Sequence, residues 1–254
     1  MSAGPGGLRR RLGQLLAGAL AAVPGAWFER LLGAAIARRA QGLPPDEALR
    51  MLLRLDNRLY ALEGQHSVRH GGGLHSKHRH TGYHDFFVAR VRADERVLDV
   101  GCGIGALARD LARAGAQVVG VDTNADSIET ARARFAHPGV EFRVADGLSL
   151  PGERFDVVVL SNVLEHLAPR VAFLAALAER TDARRLLVRV PCFERDWRVP
   201  LKRELGVEWR LDATHETEYR LEELASELHA AGWQIGPHDL RWGEIWAEAS
   251  RAHG

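Results

Sequence analysis

The chain has 254 residues, of which 46% are hydrophobic and 26% charged, and a formal net charge of +1. These fractions are those of an ordinary globular protein and exclude a disordered or collagen-like chain, while the length suits one large domain or one domain with a helical extension. The charge is unevenly distributed: residues 1–92 hold 14 Lys and Arg against 6 Asp and Glu, and the remainder 20 against 27, so the front end is either suited to an anionic partner or simply a solvated basic face.

The front end reads as helices. RRRLGQLLAGALAAVPGAWF has the basic and apolar sections of a secretory signal, but Leu8, Leu12, Leu15, Leu16, Leu20 and Val23 recur at helical spacing and no clean A-x-A site closes the run. A helix is therefore expected over Leu8–Val23, broken at Pro24-Gly25. A second follows over Trp27–Arg39, with Trp27, Phe28, Leu31, Leu32, Ala35 and Ile36 facing one way. Residues 8–39 could touch a membrane surface, although no run is long and apolar enough to span one. Pro44-Pro45 and Asp46 open a third helix, in which Leu52, Leu55, Leu59 and Leu62 mark a core-facing stripe. A Gly- and His-rich loop, HGGGLHSKHRHTGYHDFF, then enters a short helix at Tyr83–Val91. Residues 1–92 are expected to form a helical extension and lid, and 93–254 a domain of different character.

From Glu95 β-branched runs alternate with Ala-rich helical runs. Val97–Val100, Gln117–Val121, Val140–Val144, Asp156–Leu160 and Arg185–Val190 read as buried strands, and the alternation predicts a doubly wound parallel sheet with right-handed crossovers. Trp233–Leu240 and Glu244–Ala249 are separated only by a tight turn, so they should form an antiparallel hairpin at the sheet edge. The two cysteines, Cys102 and Cys192, cannot build a disulfide framework or a Cys-rich zinc site, which fits a reducing cytoplasm.

The stretch VLDVGCGIGALA can be read in two ways. As Gly101-x-Gly103-x-x-Ala106 it satisfies a dinucleotide fingerprint; as D-x-G-x-G-x-G from Asp99 it suits the nucleoside loop of a methyl-transfer enzyme. Asp122, at the tip of the next strand in VVGVDTN, can accept from both hydroxyls of a ribose in either case. Three features separate the readings. Asp99 would attract a methionine ammonium and repel a pyrophosphate. Asp146, at the end of VEFRVADG, suits an adenine amino group. No second domain to carry a hydride acceptor is expected after the terminal hairpin.

With VLDVGCGIG, VVGVDTN, VADG and FDVVVLSNVLEHL in order, the section from Arg96 onward resembles the class I S-adenosylmethionine-dependent methyltransferases. The resemblance implies a Rossmann-like α/β fold, a seven-stranded sheet in the order 3-2-1-4-5-7-6 with strand 7 antiparallel, and S-adenosyl-L-methionine as cofactor. It implies cofactor contacts at Asp99, Gly101, Cys102, Gly103, Asp122, Thr123, Asp146, Gly147 and Asn162. Cys102 reads as a small packing residue, not a nucleophile.

For an oxygen or nitrogen acceptor a general base contributes about 10²–10⁴-fold. His166 and Glu165 resemble the E-H pair of small-molecule and quinone O-methyltransferases of this fold; the alternative is that they cap the next helix. SNVLEH lacks the prolines of the DNA-amine methylating motif, and the body lacks a basic stripe, so nucleic acid is not an expected substrate. The insertion PCFERDWRVPLKRELGVEWRLDATHETEY supplies His215 as a further catalytic candidate. Glu216, Glu218 and Tyr219 are candidates for acceptor contacts, with Trp197 and Trp209 as pocket walls; loop packing is the competing role. Lys202, Arg203 and Arg210 could meet a phosphate or carboxylate, or be solvated. His75, His78, His80 and His84 cluster ahead of the domain; Tyr83 and His84 are read as part of the lid, and no metal is expected, although His80 and His84 have i, i+4 spacing.

The reading is a cytoplasmic methyltransferase, with membrane association through residues 8–39 left open, acting on a small molecule, glycan or lipid-linked acceptor at oxygen or nitrogen, with a glycan or lipid-linked glycan preferred. An NAD-linked oxidoreductase and a non-catalytic scaffold of the same fold are the alternatives.

Overall fold

The computed structural model describes residues 5–150 and 152–251, and the side chains among these except those of residues 5–10 and 12. The expected helical stripe therefore lies outside the described side chains at Leu8 and Leu12. Seven strands follow the β-branched runs: β1 (Arg96–Val100), β2 (Gln117–Asp122), β3 (Val140–Val144), β4 (Val157–Ser161), β5 (Arg185–Pro191), β6 (Trp233–Arg241) and β7 (Glu244–Arg251). They form one sheet in the order β3-β2-β1-β4-β5-β7-β6. The first five run parallel, and β7 is antiparallel to both β5 and β6. Fold class, strand order and the antiparallel strand are those expected from the sequence. The hairpin turns on Trp242 and Gly243, both at positive φ (56° and 75°), the twist that joins two right-twisted strands by two residues.

Both faces of the central sheet are buried, because alternate side chains of β1, β2, β4 and β5 enter different cores. On one face Leu98, Val119, Val158, Leu160, Leu186 and Val188 pack with Leu174 and Leu177 of α8 (Arg170–Thr181) and Leu224 and Leu228 of α10 (Leu221–Ala230). On the other, Val97, Val118, Val157, Val159 and Leu187 pack with Leu107 and Leu111 of α6 (Ala106–Arg113) and Ile128 of α7 (Ala125–Arg134). Tyr83, Phe86 and Phe87 of α5 (Tyr83–Val88) join this second core. Burying each such side chain contributes about 1.5–3 kcal/mol, so α5 is held as firmly as the crossover helices.

The chain divides into two compact units, one of residues 1–60 with 205–207, the other of 61–204 with 208–254. This division differs from the expected boundary at 92/93, since the aromatic residues of α5 pack against the strands. The smaller unit contains α1 (Pro5–Ala21), α2 (Gly25–Gln41) and the start of α3 (Pro45–His70). Here the structure corrects the expected stripe of α3. Leu53 is buried, whereas Leu52, Leu59 and Leu62 are 38%, 53% and 50% exposed. A helical repeat defines a face but not a partner to cover it. The expected loop ahead of α5 also contains a short helix, α4 (Lys77–Thr81), ended by Gly82 at φ 58°. That break places His80 and His84 on different helices, so their i, i+4 spacing does not put them on one helical face.

Candidate active site

The carboxyl ends of β1, β2 and β4 carry the candidate groups. Beyond β1 the chain turns through Gly101 and Gly103, both in the left-handed region (φ 66° and 53°). A Cβ on Gly101 would lie 2.7 Å from Val163 Cγ2, whereas one on Gly103 would meet nothing within 4 Å. The first glycine is needed for packing. The second leaves open space beside the loop, where a ligand can approach backbone. The free N–H groups of the first turn of α6 follow directly.

Asp122 ends β2 and anchors this loop. Its carboxylate accepts from the Gly103 N–H (2.9 Å) through one oxygen and from the Asn124 N–H (2.8 Å) through the other, and each oxygen retains acceptor capacity. Asp99, inside β1, is 1% exposed and its Oδ2 has no hydrogen-bond partner. Burial, reinforced by the nearby Asp122 charge, pushes its carboxyl up to about 7. A buried carboxylate without a partner is costly, and an arriving ammonium group would relieve it. Thr123 is exposed beside Asp122. Asp146 is exposed beyond β3, where Oδ1 accepts from the Leu148 N–H at 2.7 Å, and Gly147 is buried against Val100. The Cys102 thiol is pushed up by burial and by both acids, as suits a packing residue.

Asn162 follows β4 at φ 59°, a left-handed conformation that asparagine tolerates better than most residues. Its N–H donates to Arg189 O (2.8 Å) and its Nδ2 to Glu165 Oε1 (2.7 Å). The 3-10 turn Leu164–His166 then presents two groups of opposite exposure. Glu165 is fully buried, its Oε2 lacks a partner, and burial raises its pKa. His166 is exposed, with Nδ1 3.0 Å from Thr214 Oγ1, and that hydroxyl donates its only proton to Asp212 Oδ1 at 2.8 Å. Thr214 therefore accepts from an Nδ1–H, which leaves Nε2 of His166 as the basic nitrogen. Partial burial and the neighbouring His215 lower the pKa of His166, favouring the neutral ring.

His215 is buried beside it, the two rings meeting edge-on at 4.7 Å. Its Nδ1 lies 3.1 Å from Glu218 Oε1. One ligand atom from each of Glu165, His166 and His215 falls within 4.8 Å of the others, a set that could hold a metal ion. The three catalytic candidates predicted from sequence are thus brought together, 48 residues of intervening chain between His166 and His215 notwithstanding.

The acceptor candidates are treated less uniformly. Tyr83 is buried, its hydroxyl about 3 Å from the ring nitrogens of His78 and its ring 3.8 Å from the Arg189 guanidinium. His84 is held by Asp110 Oδ2 at 2.7 Å. Glu218 is committed to Arg195, the Leu211 N–H and His215. Tyr219 lies in the core and donates to Glu227 Oε2 at 2.9 Å. Trp209 packs edge-on to Phe193, while Trp197 is 73% exposed. Arg210 pairs with Glu208.

Sequence patterns did not point to Arg189 and Glu244, a buried bidentate pair (2.8 and 2.9 Å) with Arg189 also reaching Ser161 Oγ at 3.3 Å. The available signal is the charge of Arg189 inside the apolar strand RLLVRVP, since a buried guanidinium requires an acid. Asp212 and Thr214, the pair that orients His166, carry no comparable mark.

Residues 97–183 match the family model described as a methyltransferase domain. The ubiquinone biosynthesis O-methyltransferase of Bradyrhizobium sp. (strain ORS 278) is 33% identical over 164 residues, covering 58% of this chain and 64% of that protein. Its namesake from Azorhizobium caulinodans is 34% identical over 167 residues, covering 62% and 65%. The chain thus spans a little under two thirds of the length of these curated relatives. The magnesium protoporphyrin IX methyltransferase of Synechocystis PCC 6803, solved with bound SAH, has a TM-score of 0.56 and 24% identity, covering 68% of this chain and 84% of that one; this is a likeness of fold. Residues 97–183 thus match a methyltransferase domain, and the strand order is that of the Rossmann-like methyltransferase fold.

Proposed function

We propose that the protein is an O-methyltransferase acting on the hydroxyl of a small molecule, with His166 as general base. The observation that carries this reading is the contact of the base-bearing turn with the cofactor loop: Val163, between Asn162 and Glu165, closes on Gly101. The O-methyltransferase relatives support oxygen as the acceptor atom over nitrogen.

Asp99 would hold the ammonium group of the cofactor, Gly101 and Gly103 its methionine and ribose side, Asp122 the ribose hydroxyls, and Asp146 the adenine amine. Cys102, Thr123, Gly147 and Asn162 would complete the wall. When bound, S-adenosylmethionine supplies an electrophilic methyl group. His166 removes the acceptor proton at Nε2, while Thr214 and Asp212 hold Nδ1–H and with it the ring's orientation. Glu165 stands close enough to stabilise the imidazolium formed, and Asn162 fixes its carboxyl. Tyr83 and His84 belong to the lid, Trp197 offers the one strongly exposed indole of the two proposed walls, and His215 backs His166. A glycan would stack on Trp197 alone, which favours a compact acceptor. Among the described residues no helix is long and apolar enough to cross a membrane; a cytoplasmic protein fits the composition.

A second reading has a specific observation in its favour. Glu165, His166 and His215 converge, and Glu165 Oε2 is unpartnered, so a divalent ion there could bind and orient the acceptor oxygen. The deciding experiment follows labelled methyl transfer from S-adenosylmethionine to a panel of hydroxylated small molecules. Under the base reading, His166→Gln lowers kcat about 10²–10⁴-fold with cofactor affinity unchanged, and chelation has no effect. Loss of turnover on chelation, restored by one divalent ion, would replace the base with the metal. Transfer to amines but to no hydroxyl would refute the acceptor class.

A further inference from the structure

The unit of residues 1–60 with 205–207 leaves an unusual amount of apolar side chain uncovered. Leu15, Leu16, Trp27 and Leu31 are 72%, 59%, 61% and 50% exposed, and such concentrations on a protein surface mark a docking site. The sequence of residues 5–41, which spans α1 and α2, has six arginines and a single acid, Glu29. In the same unit a cavity of about 320 Å³ is lined by Arg39, Leu43, Glu47, Arg50, Met51 and Arg54.

The three arginines of that cavity are not equivalent. Arg50 is committed, paired with Asp46 and donating to Leu205 O at 3.1 Å. Arg39 and Arg54 have no side-chain partner among the described residues, although Glu47 shares the cavity. Two uncommitted guanidinium groups beside Leu43 and Met51 offer a phosphate site with an apolar wall. Arg39 also lies seven residues after Leu32 in α2, two turns along the same helix face, so charge and exposed apolar surface run together.

We propose that this unit docks on an anionic phospholipid surface, with the leucines and Trp27 entering the interface and Arg39 and Arg54 holding a lipid phosphate. Charge complementarity selects this occupant. A second copy of the chain would bring the same excess of arginine against it, whereas anionic headgroups neutralise that excess. Among the described residues no helix is long and apolar enough to cross the membrane, so an interfacial contact is the one proposed. The proposal is independent of the methyl-transfer reading, because it uses none of the residues of that site.

The test is co-sedimentation of the whole protein with vesicles of phosphatidylcholine alone or with phosphatidylglycerol, at low and high salt, with and without free inorganic phosphate. We expect partitioning at least about tenfold higher on the anionic vesicles, weakened by salt and not competed by millimolar phosphate. Arg39→Glu with Arg54→Glu should abolish that preference, and Arg39→Lys with Arg54→Lys should retain most of it. Circular dichroism and S-adenosylhomocysteine binding, read on each variant, separate loss of docking from loss of fold or of the methyltransferase site. Equal partitioning on both vesicles, or an unchanged preference in the folded Glu variant, would overturn the proposal. So would tight capture of free phosphate at the same arginines, or a salt-stable dimer lost in the Glu variant.

Discussion

Asp99→Asn should stabilise the ligand-free protein at alkaline pH while removing its affinity for the cofactor. Asp99 is 1% exposed with an unpartnered Oδ2, and its carboxyl is raised from 3.8 to about 7. Between those values the native state holds a proton that the unfolded chain has released. Stability therefore falls as pH rises from about 4 to about 7, and is flat in this respect above. At about 1.4 kcal/mol per pH unit, ionising Asp99 between pH 5 and pH 8 costs roughly 2–3 kcal/mol. An asparagine has no such dependence. Its advantage over aspartate should thus grow by that amount across the interval, or about 5–10 °C in melting temperature for a chain of this size. The assay is urea and thermal unfolding of both proteins at pH 5 and pH 8, with and without S-adenosylhomocysteine. The ligand should raise the wild-type transition at pH 8 and leave the variant unmoved. Parallel pH–stability curves for the two proteins would refute the reasoning, since they would show that Asp99 is ionised at no cost.

Two further outcomes follow from the turn after β4. Asn162→Ala removes the hydrogen bond to Glu165 and places a β-carbon residue with no local side-chain compensation at φ 59°; it should cost about 1–3 kcal/mol in unfolding free energy, and Asn162→Gly should recover the backbone part but not the turnover. The pKa of His166 is lowered from 6.5, so kcat/KM should rise with pH through a limb lying below 6.5 and be level from 7 to 8. In His166→Gln that limb should be absent, and its persistence would assign the titration to another group.

Much of the fold could be read from residue order. The five parallel strands lie within a residue or so of the β-branched runs that suggested them, because a strand buried on both faces has little freedom in composition. The hairpin was legible for a related reason: the interval between its strands is too short for a crossover. The cofactor loop was equally open to reading, as its glycines and acids are adjacent in sequence to the strands that place them. The uncovered leucines of α3 show the limit. Leu52, Leu59 and Leu62 have the period of a packed face, yet nothing in that period says whether a neighbour exists. Long-range polar pairs were hidden for the same reason. Arg189 meets Glu244 across 55 residues and His84 meets Asp110 across 26, and neither spacing carries a periodic signal. Glu218 and Tyr219 looked available for an acceptor because loop residues of that type often are; in the structure one is bound to Arg195 and the other fills the core beside Glu227.

The most direct test of the central claim is calorimetric titration of the whole protein with S-adenosylhomocysteine, and separately with NADH, repeated on Asp122→Ala. The account predicts micromolar binding of S-adenosylhomocysteine, weakened at least about tenfold in the variant, and no binding of NADH. NADH binding in its place, or S-adenosylhomocysteine affinity unchanged by loss of the Asp122 carboxylate, would contradict it.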